Sequence, residues 1–210
     1  MTVRIVMADD MDLALEGMRA ILRQHDSFQV TGAYLLLSEM LQALVELRPN
    51  VILVGDKIEP GLDVLALVER IQQAAPCARI VILSNLSDGL IVQELFTIGA
   101  AGYLYKNDPL SLYLVEAIQT VMRGRLYLSP TANSEYLLAM QSDRAGWQLD
   151  AEAREILRQM ARGIRPQEIA LRRNVPVRRV YSVCERLRRR FGAETNIQLI
   201  ALAAAEGFLF

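Results

Sequence analysis

The sequence predicts an α/β chain in two parts. The first is a doubly wound parallel sheet of five βα units, and the second is a smaller all-α domain built on a helix–turn–helix. Three observations carry this. Residues 1–127 alternate short β-branched runs with longer stretches of helical periodicity. Most of those runs are continuously apolar, as strands covered on both faces are. From residue 149 onward four helical patterns follow one another, the third crowded with arginine.

The elements follow in order. The run 3–8 reads as a first strand and ends in Asp9-Asp10; a helix is expected over 13–24, with Asp12 as its N-cap. Strands at 29–33, 51–54, 79–83 and 102–104 alternate with helices at 38–47, 62–75, 89–98 and 110–123. Asp88 and Asp108 are placed to cap the last two helices, and Pro109 suits a first helical position. Right-handed crossovers between parallel strands make the sheet doubly wound, with strand order 2-1-3-4-5. Residues 128–147 read as a linker of turn-forming residues, interrupted by the apolar patch Tyr136-Leu137-Leu138-Ala139-Met140, good for a turn or two of helix on either domain.

The domains are therefore expected at 1–127 and 148–210. In the second, Asp150 can cap a helix over 151–162, ended by Gly163. A short helix over 166–173 and the turn Asn174-Val175-Pro176 lead to a third over 177–191, stopped by Gly192. That helix gathers Val180, Val183, Cys184, Leu187 and Phe191 on one side and arginine on the rest, which suits an approach to DNA phosphates or an ordinary solvated face. The last, over 196–206, is apolar on most sides, so it closes the small core or meets a second copy through Ile197, Ile200 and Ala201.

Charge follows the same division. Residues 1–127 hold 10 Lys and Arg against 15 Asp and Glu, a net of −5, whereas residues 148–210 hold 12 Arg against 7 acids, a net of +5. An acidic module joined to one that meets a polyanion fits this split. No apolar run reaches the ~18 residues of a membrane span. The N-terminus lacks the shape of a secretion signal, so a cytoplasmic protein is expected. Cys77 and Cys184 read as free thiols. One histidine, His25, and two cysteines argue against a zinc site or a catalytic triad, and no enzyme is expected.

In an open parallel sheet the ligand site lies beyond the carboxyl ends of the strands. Asp9 and Asp10 follow strand one, Asp56 follows strand three, Ser84 follows strand four, and Lys106 follows strand five. Three carboxylates at one edge repel one another, and Mg²⁺ relieves such a site. A carboxylate can also attack phosphorus, with the metal and a lysine neutralising the phosphoryl oxygens. The chain has only two lysines, Lys57 and Lys106, against 21 arginines, so a lysine kept after strand five suits a compact phosphoryl contact. The bland alternative is that these acids are helix caps and Lys106 a surface residue.

Ile5-Val6-Met7-Ala8-Asp9-Asp10, Asp56-Lys57-Ile58-Glu59-Pro60-Gly61, Ile82-Leu83-Ser84 and Gly99-Ala100-Ala101-Gly102-Tyr103-Leu104-Tyr105-Lys106 resemble the receiver domain of two-component response regulators. Residues 149–203, with Gly163, Glu168-Ile169-Ala170, Val180 and Gly192 in register, resemble the LuxR-type DNA-binding domain. Together they resemble the NarL/FixJ subfamily over nearly the whole chain. The resemblance implies a flavodoxin-like (βα)5 receiver with Asp56 as phosphoacceptor. Asp9, Asp10, Asp56 and the Ile58 carbonyl would hold Mg²⁺. Ser84 and Tyr103 would form the switch pair and Lys106 the phosphoryl contact. It also implies a sensor histidine kinase, a homodimer and double-stranded DNA as partners. Arg165, Arg178, Arg179, Tyr181, Ser182, Glu185, Arg186 and Arg189 would face the DNA.

Two departures stand out. The family places its phosphoacceptor six residues after a proline, but here Pro49 to Asp56 is seven and Gly55 holds the sixth place. Counted back from Pro60, Asp56 has the usual spacing of four. If Gly55 takes the nucleophile's backbone position, strand alternation turns Asp56 elsewhere, and a receiver that ignores phosphate is the alternative. In the arginine-rich helix, Arg179-Val180-Tyr181-Ser182-Val183 stands where Thr-Val-Lys-x-His is common, Pro176 replaces a capping Ser, and Glu185 takes another contact position. A protein-interaction adaptor with a helix–turn–helix that no longer reads DNA is the further alternative.

Overall fold

The computed structural model describes residues 2–86, 88–141, 149, 151–205, 208 and 209. The chain divides into two compact units, Met1–Gly146 and Trp147–Phe210.

In the first unit the strands are β1 (Val3–Ala8), β2 (Phe28–Tyr34), β3 (Val51–Gly55), β4 (Arg79–Ser84), β5 (Gly102–Tyr105) and the short β6 (Tyr127–Leu128). All pair in parallel, in the order β2-β1-β3-β4-β5-β6. Between them run α1 (Asp12–Leu22), α2 (Leu37–Leu47), α3 (Val64–Ala74), α4 (Gly89–Thr97) and α5 (Leu110–Met122), and α6 (Pro130–Gln141) follows β6. The expected doubly wound α/β sheet is thus present, with one strand more than the five read from sequence.

Strand alternation builds two cores. Val6, Ile52, Val54, Ile80, Ile82 and Tyr103 pack with α2, α3 and α4. Ile5, Met7, Val51, Leu53, Val81, Leu83 and Leu104 pack with α1 and α5. These central-strand residues are at most 1 % exposed, which is why their sequence reads as unbroken apolar runs.

Two of the three N-cap expectations change. Met11, not Asp12, is the N-cap of α1: the backbone N–H of Met11 is held by Asp9 Oδ1 at 3.1 Å, and the helix starts at Asp12, one residue earlier than expected. Asp108 does not cap α5, whose N-cap is Pro109; its carboxylate instead accepts from Thr131 N at 3.1 Å and Thr131 Oγ1 at 2.6 Å. Asp88 does cap α4, accepting from Leu90 N and Ile91 N.

The stretch 128–141, read as part of a linker, is structured. Ser129 is fully buried, donates its backbone N–H to the Tyr103 carbonyl and accepts from Tyr105 N. The helix that follows seats Ala132 in the first core and Tyr136 edge-on to Phe96. It lies so close to α4 that a methyl group at Gly89 would come within 2.2 Å of the Glu135 carbonyl oxygen. Residues 142–147 of the expected linker, and Asp150 with its expected cap, lie outside the described residues.

The Asp108 anchor titrates. Partial burial pushes its carboxyl up, but hydrogen bonds from Ser129 and Thr131 outweigh this and hold it below the ordinary aspartate value. A depressed folded-state pKa stabilises above the unfolded value and is lost as pH falls through the folded one. The protection factor of the Thr131 amide in hydrogen exchange is expected to fall as pH drops below ~3.9. In Asp108→Ala it is expected to be low at every pH.

The second unit is all-α: α7 (Ala151–Ala161), α8 (Pro166–Arg172), α9 (Val177–Phe191) and α10 (Asn196–Ala205). Leu149, Ile156, Leu157, Ile169, Val180, Cys184, Leu187 and Leu199 form its core. The five apolar residues read on the inner face of α9 are all buried.

Candidate functional site

Two groups of side chains meet at the carboxyl end of the sheet. Asp9 is fully buried, and Lys106 Nζ stands 2.7 Å from its Oδ2. The backbone of Gly55 lies directly against this pair: a methyl group there would be 2.3 Å from Asp9 Oδ2 and 3.3 Å from Lys106 Nζ. The second group is Asp56, Ser84 and Tyr103. Ser84 Oγ donates to Asp56 Oδ2 at 2.7 Å and accepts from Leu86 N at 3.0 Å, while Tyr103 Oη donates to the Leu86 carbonyl at 2.6 Å. Asp56 Oδ1 is buried without a hydrogen-bond partner.

Alternation explains the division. Leu53 and Leu104 belong to the α1/α5 core, so Gly55 and Lys106, two residues on, continue that face. Val54 and Ile82 belong to the other core, so Asp56 and Ser84 continue that one. Gly55, the residue before Asp56, thus lies against Asp9 and Lys106, and Asp56 against Ser84.

Burial pushes the Asp9 carboxyl up, the Lys106 ammonium and the Met11 N–H pull it down, and contact with Asp10 adds to the rise, leaving it above the ordinary aspartate range. Burial likewise raises the Tyr103 hydroxyl, so it stays a protonated donor to Leu86.

In the second unit α8 and α9 form the helix–turn–helix. Arg165 precedes α8 and is exposed; Arg178, Arg179, Tyr181, Ser182, Glu185, Arg186 and Arg189 are all exposed along α9. Arg179 donates from Nε and Nη2 to Glu152 Oε1 and Oε2 at 2.7 and 3.0 Å, and this carboxylate raises the guanidinium pKa. Gln167 Nε2 donates to Tyr181 Oη at 2.7 Å, and Arg189 pairs with Glu185. On α10, Ile197 is 82 % exposed, Ala201 is exposed and Ile200 is half-buried.

The model of the response regulator receiver domain matches residues 5–117, more than half of the chain. The chain belongs to that family. Among curated relatives, the oxygen regulatory protein NreC of Staphylococcus aureus is 27 % identical over 99 % of both chains. The uncharacterized transcriptional regulatory protein YxjL of Bacillus subtilis is 28 % identical over 99 % of this chain and 97 % of that one. Among solved structures, RcsB from Salmonella enterica serovar Typhimurium, bound to promoter rprA in the presence of the phosphomimetic BeF3-, aligns with a TM-score of 0.73. It is 19 % identical and covers 97 % of this chain and 99 % of that one. That likeness shows that the two-part fold is shared. These relatives bear the names of regulators, not of enzymes.

Receiver domains generally take Mg²⁺ for phosphorylation. The donors at this receiver's sheet edge fit a hard cation in kind: carboxylates, with Asp56 Oδ1 orphaned and Asp9 starved of solvent. They are not drawn together, however. Among the described residues no group of three or more His, Cys, Asp or Glu is arranged to hold a metal ion, and the Lys106 ammonium already sits on Asp9.

Several contributors were missed in the sequence: Glu152 behind Arg179 and Gln167 behind Tyr181 in the second unit, and the Asp108–Thr131 anchor in the first. Only Glu152 gave a signal, as an acid in the first turn of its helix.

Proposed function

We propose that this receiver controls a DNA-binding second unit, making the chain a transcriptional response regulator. The observation that carries the DNA reading is α9: an apolar face buried in its own small core, and an opposite, exposed face of Arg178, Arg179, Arg186 and Arg189 on a helix–turn–helix. Such a face suits insertion against a duplex, with arginines on phosphates or guanine and Glu185 able to accept from cytosine. Binding as a homodimer through Ile197, Ile200 and Ala201 would cover the exposed apolar side of α10.

Asp56 is the proposed phosphoacceptor, and a sensor histidine kinase in the cytoplasm the proposed donor. An Asp56 oxygen forms a bond to phosphorus as the donor's P–N bond breaks and its electron pair stays with the imidazole. Mg²⁺, held by Asp9, Asp10, Asp56 and the Ile58 carbonyl, would supply neutralisation of the phosphoryl oxygens. In this reading Ser84, already bonded to Asp56, and Lys106 would contact the new group, which adds roughly −1.5 to −2 charge. Ser84 and Tyr103 both bond Leu86, just ahead of α4, so a changed bond at Ser84 bears on that helix and on α6 docked against it.

A salt titration tests the DNA reading. Log affinity for duplex DNA is expected to fall linearly with log salt, by about 0.9 per phosphate contacted. Arg178→Ala should lower that slope by about 1. A chain that binds no duplex at low salt would instead support a protein-interaction adaptor.

A further inference from the structure

We infer that Glu152 is a built-in competitor of phosphate in the second unit: its carboxylate occupies the fork of Arg179 and restrains the grip on a duplex. The inference rests on the duplex-binding reading proposed above and adds the residue that limits that grip. It starts from the two hydrogen bonds that join α7 to α9, from Arg179 Nε to Glu152 Oε1 at 2.7 Å and from Arg179 Nη2 to Glu152 Oε2 at 3.0 Å.

Two parallel N–H donors meet two oxygens, the arrangement by which a guanidinium clasps a carboxylate or a phosphate. That edge of Arg179 is therefore already taken. The Glu152 side chain is 22 % exposed and stands in the first turn of α7, next to the buried Ala153, whereas the Arg179 side chain is 60 % exposed. The other arginine–carboxylate pair on α9 is of a different kind. Glu185 lies one turn from Arg189 on the same helix, and both side chains are more than half exposed, so solvent screens them.

The place of Arg179 explains why a carboxylate sits there and why a phosphate contends for the same position. Arg178 and Arg179 stand in the first turn of α9, at the positive end of its dipole, and α9 has no acid in that turn. Glu152 supplies the missing negative charge from another helix. A DNA phosphate offers the same two things, paired oxygens and negative charge at a helix N-terminus. Duplex and Glu152 thus compete for one guanidinium. While Glu152 holds it, Arg179 adds no phosphate contact, and the carboxylate's own charge opposes the approach of the backbone. The positive charge that α9 displays in the sequence is larger than the charge it presents to phosphates.

The test uses the full chain and one mixed-sequence duplex, titrated at several salt concentrations. Glu152→Gln keeps the shape and removes the charge. It is expected to bind about fivefold more tightly at low salt. Its log–log salt slope is expected to be steeper by about 0.9, as Arg179 takes up a phosphate. Arg179→Ala is expected to leave the slope of the otherwise wild-type chain unchanged, and to return the slope of Glu152→Gln to the wild-type value. A merely structural pair gives another pattern: each variant loses affinity and urea midpoint together, and no slope steepens. That pattern overturns the assignment. So does an Arg179→Ala slope that falls by about 0.9 with Glu152 in place, because Arg179 then already holds a phosphate. If Glu152→Gln does not fold, the Arg179→Ala slope alone decides. A wild-type chain that binds no duplex overturns the duplex reading and this one with it.

Discussion

Replacing Lys106 with methionine is expected to cost the receiver about 3 kcal/mol at neutral pH. Asp9 is fully buried, and the Lys106 side chain is itself only 15 % exposed, so solvent cannot replace the lost partner. Methionine fills a comparable volume, which confines the effect to charge. The pH dependence identifies the cause. Burial already holds the Asp9 carboxyl above the ordinary aspartate value, against the pull of Lys106. A raised folded-state pKa favours the fold at low pH, and that benefit is lost as pH rises through the folded value. Without the ammonium the folded value rises further. The deficit of Lys106→Met relative to wild type is therefore expected to be largest at neutral pH and to shrink in mild acid as Asp9 takes up a proton. Urea unfolding at the two conditions measures it; a deficit that does not change with pH would show that Asp9 is not the group left exposed to the loss.

Gly55→Ala is the second large effect, and here the sign is informative. Gly55 does not have a left-handed backbone, so alanine at such a position would ordinarily stabilise by about 0.4–1 kcal/mol. The neighbour reverses this. The added methyl would lie 2.3 Å from Asp9 Oδ2 and 2.8 Å from its Cγ, and Asp9 is held by Lys106 and the Met11 N–H with no exposed route of escape. Overpacking of this kind costs about 1–3 kcal/mol. A lower urea midpoint is expected, together with a weakened Asp9–Lys106 pair; a raised midpoint would mean that the strand end is open at this point.

The sheet was legible because the inner strands β1, β3, β4 and β5 are largely buried and read as apolar runs, while the half-buried edge strand β2 was marked by its place between two helical patterns. The sixth, Tyr127–Leu128, is two residues long and carries no periodicity of its own. The helix Pro130–Gln141 was hidden for a related reason: its sequence is polar at the start, and its order comes from Ser129, Asp108 and the surface of α4. At the sheet edge the seven-residue step from Pro49 to Asp56 was visible, but counting from the two prolines gave opposite answers. The packing of Val54 and Leu53 on opposite cores decides which face each following residue takes. Side-chain pairs between helices were out of reach. Glu152 and Arg179 are 27 residues apart, Gln167 and Tyr181 are 14, and nothing local links them.

The central claim, that a phosphoryl group on Asp56 governs the DNA grip of the second unit, has one direct measurement. The full chain and Asp56→Asn are each incubated with acetyl phosphate and Mg²⁺, weighed intact by mass spectrometry, and titrated with duplex DNA. The wild-type protein is predicted to gain one phosphoryl group and to change its duplex affinity, while Asp56→Asn does neither. A wild-type chain that gains no mass, or whose grip on DNA is the same before and after, would contradict it.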